Sequence, residues 1–171
     1  MKSFIGYHGT DSVSANKIMK TKFRNDSTKV GWLGQGVYFF EENYALAKYW
    51  AGRYGEKSVN VIRSEICIPE KLVFDVTDTK GKNNKFFHEM KRQLIEKKIK
   101  EENIDVFTKS ERDFDGKTYN LICEMKNYEL VVAPTYTFTE QDRKYGTFSR
   151  LSNGTELCLR NIKYIVTKEI V

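Results

Sequence analysis

The sequence predicts one mixed α+β domain over residues 1–171, and three observations support this. The length of 171 residues is close to the usual size of a single domain. With 40% hydrophobic and 30% charged residues, the composition is that of a globular protein and lies outside the range of disordered chains. Strand and helix patterns mix early and strands dominate late, without the regular βαβα alternation of a doubly wound sheet.

The N-terminal part predicts two strand-and-helix pairs. Residues 4–8 form a short apolar run that predicts a strand, and Asp11 is a cap-type residue ahead of a helical pattern. Residues 31–40 place three glycines before a β-rich tetrad, which predicts a loop followed by a second strand. Residues 44–54 contain alanines and aromatic residues at spacings that predict a second helix.

The remaining elements follow from alternation, charge and turn residues. Val59–Ile68 alternates strand formers with polar residues and ends at Pro69. We further expect a basic helix at 84–100, a polar turn region at 139–154, and strands at 72–76, 119–123, 130–133, 156–160 and 162–166.

The net charge is +6, and residues 80–100 hold eight basic and two acidic side chains. This excess is either a nucleic-acid footprint or the solvated face of a helix, and we favour the second interpretation. The apolar side of that helix would carry Phe87, Met90, Leu94, Ile95 and Ile99.

Composition also sets expectations for cysteines, metals and membranes. Cys67, Cys123 and Cys158 are widely spaced among apolar neighbours, so we expect buried reduced thiols and no metal site. No apolar run approaches the roughly 18 residues of a membrane helix, and residues 1–10 have no long apolar segment of signal-peptide type. We therefore expect a cytoplasmic protein without a membrane partner.

The tetrapeptide Tyr7-His8-Gly9-Thr10 is the first candidate for chemistry. It puts an imidazole at a strand end, followed by a residue without Cβ that would let a planar ligand approach the backbone. An isolated histidine near a strand is more often structural, so this motif depends on others.

Two further motifs follow in order along the chain. The first is Gly34-Gln35-Gly36-Val37-Tyr38-Phe39-Phe40, followed by Tyr49, and the second is Gly154-Thr155-Glu156-Leu157. Together with His8-Gly9-Thr10, this set resembles the poly- and mono-ADP-ribose polymerase branch of the ADP-ribosyltransferases. The resemblance spans nearly the whole chain, although residues 61–138 carry no matching motif.

The resemblance implies a split β-sheet with flanking helices and with NAD⁺ in a cleft between its two halves. It implies a catalytic triad of His8, Tyr38 and Glu156. His8 would bond the nicotinamide-side ribose, Tyr38 would stack on the nicotinamide ring, and Glu156 would stabilise positive charge on the ribose. The cofactor-binding residues that it implies are His8, Gly9, Thr10, Gly36, Tyr38 and Tyr49.

The implied activity is transfer of one ADP-ribose unit, with release of nicotinamide. Leu46 stands where the polymerases have a serine that bonds the carboxamide. Gly154 stands where arginine-modifying toxins have Glu or Gln, so protein arginine is not the first acceptor to test. Alternatives are an NAD⁺ glycohydrolase and a non-catalytic module that binds NAD⁺ or ADP-ribose.

The polar stretch before Glu156 is where the superfamily places its acceptor loop. It interleaves basic and aromatic residues, which suits nucleic acid such as RNA, a protein surface or a small molecule. We expect acceptor contacts from Arg143, Lys144, Tyr145, Phe148 and Arg150. By analogy, a small basic transferase is also typical of the toxin in a toxin–antitoxin or phage-defence system, with an antitoxin as partner.

Overall fold

The computed structural model describes residues 1–25, 30–55, 58–102 and 111–171, with the side chains of 98, 99, 101, 102 and 111–113 outside this description. The strands are β1 Lys2–Asp11, β2 Val37–Glu41, β3 Val59–Ile68, β4 Val73–Asp75, β5 Leu130–Thr135, β6 Gly154–Leu159 and β7 Ile165–Ile170. The helices are α1 Ser12–Lys20, α2 Tyr44–Gly52, α3 Lys82–Glu102, α4 Glu111–Lys126 and α5 Glu140–Tyr145.

Seven strands form one mixed sheet in the order β4-β5-β6-β2-β1-β3-β7. The β4–β5 pair is parallel and the other neighbours are antiparallel. The parallel pair is joined through α3 and α4, as a parallel connection requires a long crossover. The expected α+β class is thereby confirmed.

The sheet opens between its two central strands. β1 pairs with β3 along its whole length, from Lys2 opposite Ile68 to Asp11 opposite Val59. With β2, however, β1 pairs only at Gly6 with Glu41 and at Tyr7 with Phe40. From His8 onward β1 follows β3, whereas β2 follows β6, so a gap forms between them.

Each face of the sheet carries its own apolar cluster. Phe39, Ile62 and Leu157 are fully buried on the face covered by α1. Phe74 and Ile122 belong to the cluster on the opposite face, beneath α3 and α4. Because side chains alternate along a strand, Tyr38 and Glu156 lie on the α3–α4 face.

Three expected elements need correction. Residues 119–123 form part of α4 and not a strand, because Phe114, Thr118 and Ile122 are buried at the four-residue spacing of a helix face. The polar stretch 139–154 contains α5, whose capping box joins Thr139 and Asp142. The last strand begins at Ile165, after a short 3-10 helix at Ile162–Tyr164.

The basic helix α3 behaves as a solvated face. Phe87 and Met90 are buried, while the Arg92 guanidinium pairs with both Glu89 and Glu96 at 2.7 Å. Leu94 and Ile95 are partly buried, and the side chain of Ile99 lies outside the described residues. Part of the basic charge of α3 is thus paired with glutamates of the same helix.

The cysteines are free thiols, of which Cys123 and Cys158 are buried while Cys67 is only partly buried. Among the described residues, no helix is both long and apolar enough to cross a membrane.

Candidate functional site

A cavity of about 770 Å³ lies at the gap between β1 and β2. Its walls come from β1, β2, β5 and β6, the loop before β2, the end of α2 and the segment after β5. Eight of the lining residues are Phe, Tyr or Trp, and six others carry polar or charged side chains. The lining residues are Tyr7, His8, Gly9, Val30, Gly31, Trp32, Tyr38, Phe39, Phe40, Trp50, Asp115, Pro134, Thr135, Tyr136, Thr137, Phe138, Arg143 and Glu156.

Glu156 contributes a carboxylate to the cavity wall. Its backbone lies opposite Phe40 of β2 and Ala133 of β5, so two strands hold it in place. The indole N–H of Trp32 donates to Glu156 Oε2 at 3.0 Å. Burial raises the pKa of Glu156, and hydrogen bonds from Thr135 and Trp32 act in the opposite direction. The site therefore presents a partly desolvated carboxylate with a fixed orientation.

Tyr38 is held by the glycine-rich loop that precedes it. Its hydroxyl donates to the carbonyl of Gly34 at 2.8 Å and accepts from the N–H of Leu33 at 2.9 Å. Gly31 and Gly34 close this turn with reciprocal backbone hydrogen bonds. A Cβ on Gly31 would lie 2.3 Å from the Tyr38 hydroxyl, so glycine is required there. The ring is consequently fixed against the cavity.

The same loop is also tied to α4. The side-chain oxygen of Asn120 accepts from the N–H of Gln35 at 2.8 Å, and the Arg160 guanidinium donates to it as well. A Cβ on Gly116 would lie 2.3 Å from the carbonyl of Gly31, which shows how closely the helix packs on the loop.

His8 bridges the gap between the central strands. Its Nδ1 lies 2.8 Å from the carbonyl oxygen of Tyr38, and its ring packs edge-on against Phe23 and Phe39. Burial lowers the pKa of His8, and the bond to Tyr38 raises it less. Since a carbonyl only accepts, Nδ1 carries the proton, and the neutral ring leaves Nε2 as an acceptor.

In the structure, glycine is needed at position 9 for packing against α2 and not for ligand access. A Cβ there would lie 1.9 Å from the carbonyl oxygen of Ala47, so α2 occupies the space that we expected a ligand to use. Gly36 is similar, because its Cβ would lie 2.5 Å from Cys158 Sγ and thus on the β6 side. The backbone of Gly9 lines the cavity, whereas Gly36 does not.

The two departures from the family pattern contact each other. Leu46 is buried, and a Cβ added at Gly154 would lie 2.6 Å from its Cδ1. A side chain at position 154 would therefore require the Leu46 side chain to shift.

Of the remaining expected residues, Thr10, Tyr49 and four of the five acceptor residues lie outside the cavity lining. Thr10 pairs with Asn60 in the β1–β3 ladder, and Tyr49 lies beneath the Arg143 guanidinium at 5.4 Å from its ring centre. Of the expected acceptor residues, Arg143 lines the cavity. The others are exposed outside it, namely Lys144, Tyr145, Phe148 and Arg150.

Several lining residues were not anticipated from the sequence. Trp32 stands two residues before the glycine motif, where the signal was a tryptophan in a glycine-rich loop. Tyr136 and Phe138 follow β5 in a stretch that matched no motif. Asp115 also lines the cavity, and its Oδ1 lies 2.7 Å from Lys91 Nζ.

Comparison with known proteins gives limited information. No protein-family model matches the chain. The uncharacterized protein MJ0359 of Methanocaldococcus jannaschii is 39% identical over 85 residues, which cover 44% of this chain and 38% of that protein. The match thus spans well under half of that relative, whose name states no activity.

Proposed function

We propose that this chain is a mono-ADP-ribosyltransferase with the split-sheet fold of that superfamily and with NAD⁺ as its substrate. One observation carries the proposal. His8, Tyr38 and Glu156 come from three different strands, yet they line the same cavity at the opening of the sheet. The resemblance selected these three residues from the sequence alone, and their convergence on one cavity supports the assignment.

The cavity suits a ligand with an aromatic end and a polar sugar. Its volume of about 770 Å³ lies within the range of roughly 300–1,000 Å³ for small-molecule sites. Tyr38 would stack on the nicotinamide ring, and its neutral, fixed phenol keeps that face available. His8 Nε2 would accept a hydrogen bond from a ribose hydroxyl, since Nδ1 is already engaged by Tyr38.

The proposed reaction breaks the bond between ribose C1 and the nicotinamide nitrogen. The electron pair leaves with nicotinamide, and positive charge develops on the ribose ring. Glu156 would stabilise that charge, and its partial burial strengthens the interaction because the local dielectric is low. The acceptor then gives a lone pair to C1 and loses its proton to solvent.

The cavity wall beside Glu156 also concerns the choice of acceptor. Gly154 stands where arginine-modifying enzymes have an acidic or amide side chain, and such a side chain would have to displace Leu46 here. We therefore propose an acceptor other than protein arginine. A toxin role with an antitoxin partner stays a prediction from analogy. If it holds, expression of the wild type but not of Glu156→Gln arrests growth.

The test is to incubate cell extract with purified protein and NAD⁺ that carries ³²P in its adenylate phosphate. The wild type should release nicotinamide and label a macromolecule. Glu156→Gln should reduce both by at least about 100-fold, the scale of losing one main electrostatic stabiliser. Glu124→Gln, an exposed glutamate of α4, is the matched control and should behave as wild type.

Two outcomes would replace the proposal by an alternative. Release of free ADP-ribose without any labelled macromolecule would identify an NAD⁺ glycohydrolase. Binding of NAD⁺ without release of nicotinamide would identify a non-catalytic module. Wild-type activity in Glu156→Gln would remove this residue from the mechanism.

A further inference from the structure

We propose that a surface of aromatic and basic side chains at the mouth of the cavity binds single-stranded nucleic acid as the acceptor. This inference rests on the proposed transferase activity. The surface, here called the mouth surface, combines the end of α2 with the exposed segment around α5. It consists of Trp50, Arg53, Tyr54, Arg143, Lys144, Tyr145, Phe148 and Arg150.

At the end of α2, one guanidinium lies between two exposed rings. The Arg53 guanidinium carbon is 3.6 Å from the ring centre of Trp50 and 4.4 Å from that of Tyr54. Trp50 is 43% exposed and Tyr54 is 79% exposed. Two large, exposed aromatic residues beside each other are uncommon on a surface that binds nothing.

Arg143 joins this group to α5 and to the cavity. Its Nη1 donates to the carbonyl of Arg53 at 3.1 Å, and its guanidinium lies over the ring of Tyr49. Arg143 also lines the cavity, as does Trp50. The ring of Trp50 contacts Phe40 edge-on at 6.5 Å between ring centres, and Phe40 is the cross-strand partner of Glu156. The mouth surface therefore continues into the proposed catalytic wall.

The segment after Arg143 repeats the alternation of cation and ring. Lys144 Nζ lies 5.2 Å from the ring centre of Tyr145, and both Tyr145 and Phe148 are 68% exposed. The α5 capping box fixes the start of this segment, and Gly146 ends the helix in the left-handed conformation at φ 65°.

The charge of the mouth surface favours a polyanion. Its cations are Arg53, Arg143, Lys144 and Arg150. Two carboxylates of α5, Glu140 and Asp142, lie beside these four cations, so the surface keeps an excess of two positive charges. Asp142 accepts hydrogen bonds from Tyr136 at 2.7 Å and from Thr147 at 3.0 Å. Hydrogen bonds from the Thr139 backbone and from Tyr136 lower the pKa of Asp142.

The arrangement suits single strands better than a protein partner. Single-stranded nucleic acid presents bases and phosphates in alternation, and its recognition uses stacking rings interleaved with cations. Protein interfaces instead gather their aromatic anchors into a desolvated patch surrounded by a rim. Here three of the exposed rings, those of Trp50, Tyr54 and Tyr145, each have a cation beside them, so rings and cations alternate along the surface.

The experiment measures binding of fluorescein-labelled oligo-dT and oligo-U, each about 20 nucleotides long to cover one site. The test variant is Arg53→Gln with Tyr54→Ala and Phe148→Ala, three residues outside the cavity lining. The matched control is Met125→Ala with Lys126→Gln, an exposed apolar residue and a cation on α4. Circular dichroism confirms that both are folded.

We expect the test variant to lose at least about tenfold in oligonucleotide affinity, and the control to stay within about twofold. The slope of log affinity against log salt should also become shallower by about one unit for each lost phosphate contact. Nicotinamide release without acceptor should stay near the wild-type rate, because none of the three residues lines the cavity.

Equal affinity of wild type and test variant for both oligonucleotides would overturn the inference. So would a ³²P label that protease removes and nuclease does not, because the acceptor would then be a protein. Failure of the proposed transferase activity would be a separate result, in which the wild type releases no nicotinamide. The oligonucleotide titration tests binding at the mouth surface independently of that result.

Discussion

Trp32 and Tyr38 on the inner wall of the cavity have their polar atoms bonded within the chain, whereas Trp50 and Tyr54 at the mouth turn their rings to solvent. On the inner wall, the indole N–H of Trp32 reaches Glu156 and the phenol of Tyr38 is held by Leu33 and Gly34. At the mouth, the Arg53 guanidinium lies against both rings, and Trp50 also contacts Phe40. The same residue types are thus used as fixed groups in one region and as accessible faces in the other.

This difference predicts what mutations in each region do. Preorganised groups lower the reaction barrier only if their positions are set before the substrate binds. Changes on the inner wall should therefore alter folding or the chemical step. Changes at the mouth should alter the affinity for the acceptor and leave folding nearly untouched.

The largest effect is expected for Gly9→Ala. The new Cβ would meet the carbonyl oxygen of Ala47 at 1.9 Å, a backbone atom that cannot move without shifting α2. We expect the free energy of unfolding to fall by about 3 kcal/mol, measured by urea denaturation. The control is Gly52→Ala near the mouth, where nothing lies within 4 Å of the added Cβ. It should be neutral or stabilising by about 0.5 kcal/mol. Equal losses for both would contradict the assigned packing.

A smaller effect is expected for Trp32→Phe, which removes the N–H that favours the ionised form of Glu156. Its loss should raise the pKa of Glu156 further, so activity would fall at a higher pH on acidification. A hydrogen bond to a charged group is worth about 1.5–3 kcal/mol, so the acid limb of the pH–rate profile should move up by about one unit or more. Trp50→Phe at the mouth should leave that limb in place. An unchanged limb in Trp32→Phe would show that this hydrogen bond does not affect the protonation of Glu156 in the proposed reaction.

Much of the scaffold could be predicted from local patterns. The Asp11 cap, the α2 pattern from Tyr44 and the alternation of Val59–Ile68 each depend on neighbours in the sequence. The strand predicted for residues 119–123 was wrong, because their β-type side chains also fit a helix face. Packing of Tyr119 against Phe87 and Phe74 favours the helix over the strand. Short apolar runs cannot be separated by periodicity alone.

The residues that line the cavity could be anticipated mainly where a sequence motif marked them. His8, Tyr38 and Glu156 were selected by the residues around them, and all three line the cavity. Trp32 could not be assigned to Glu156, because that contact joins residues 124 positions apart. One part of the mouth surface could be expected from the sequence, because the segment around α5 is a loop of basic and aromatic residues. The other part, Trp50, Arg53 and Tyr54, resembles an ordinary helix end in the sequence, and only the fold brings Arg143 beside it.

The smallest effect concerns the pH dependence of stability, and it separates buried from exposed carboxylates. Burial raises the pKa of Glu156 in the folded chain, so folding favours its protonated form. Stability from this group is present below its unfolded pKa and is lost as pH rises through the folded pKa. Glu156→Gln should therefore melt at a higher temperature than wild type at neutral pH, and this difference should vanish under acidic conditions.

Glu89 is the opposite case, because hydrogen bonds from Arg92 and Gln93 lower its pKa. Glu89→Gln should melt slightly lower than wild type at neutral pH, again with no difference in acid. Thermal unfolding of both variants across pH checks the signs, and a destabilised Glu156→Gln at neutral pH would mean that the carboxylate is not held in a desolvated wall.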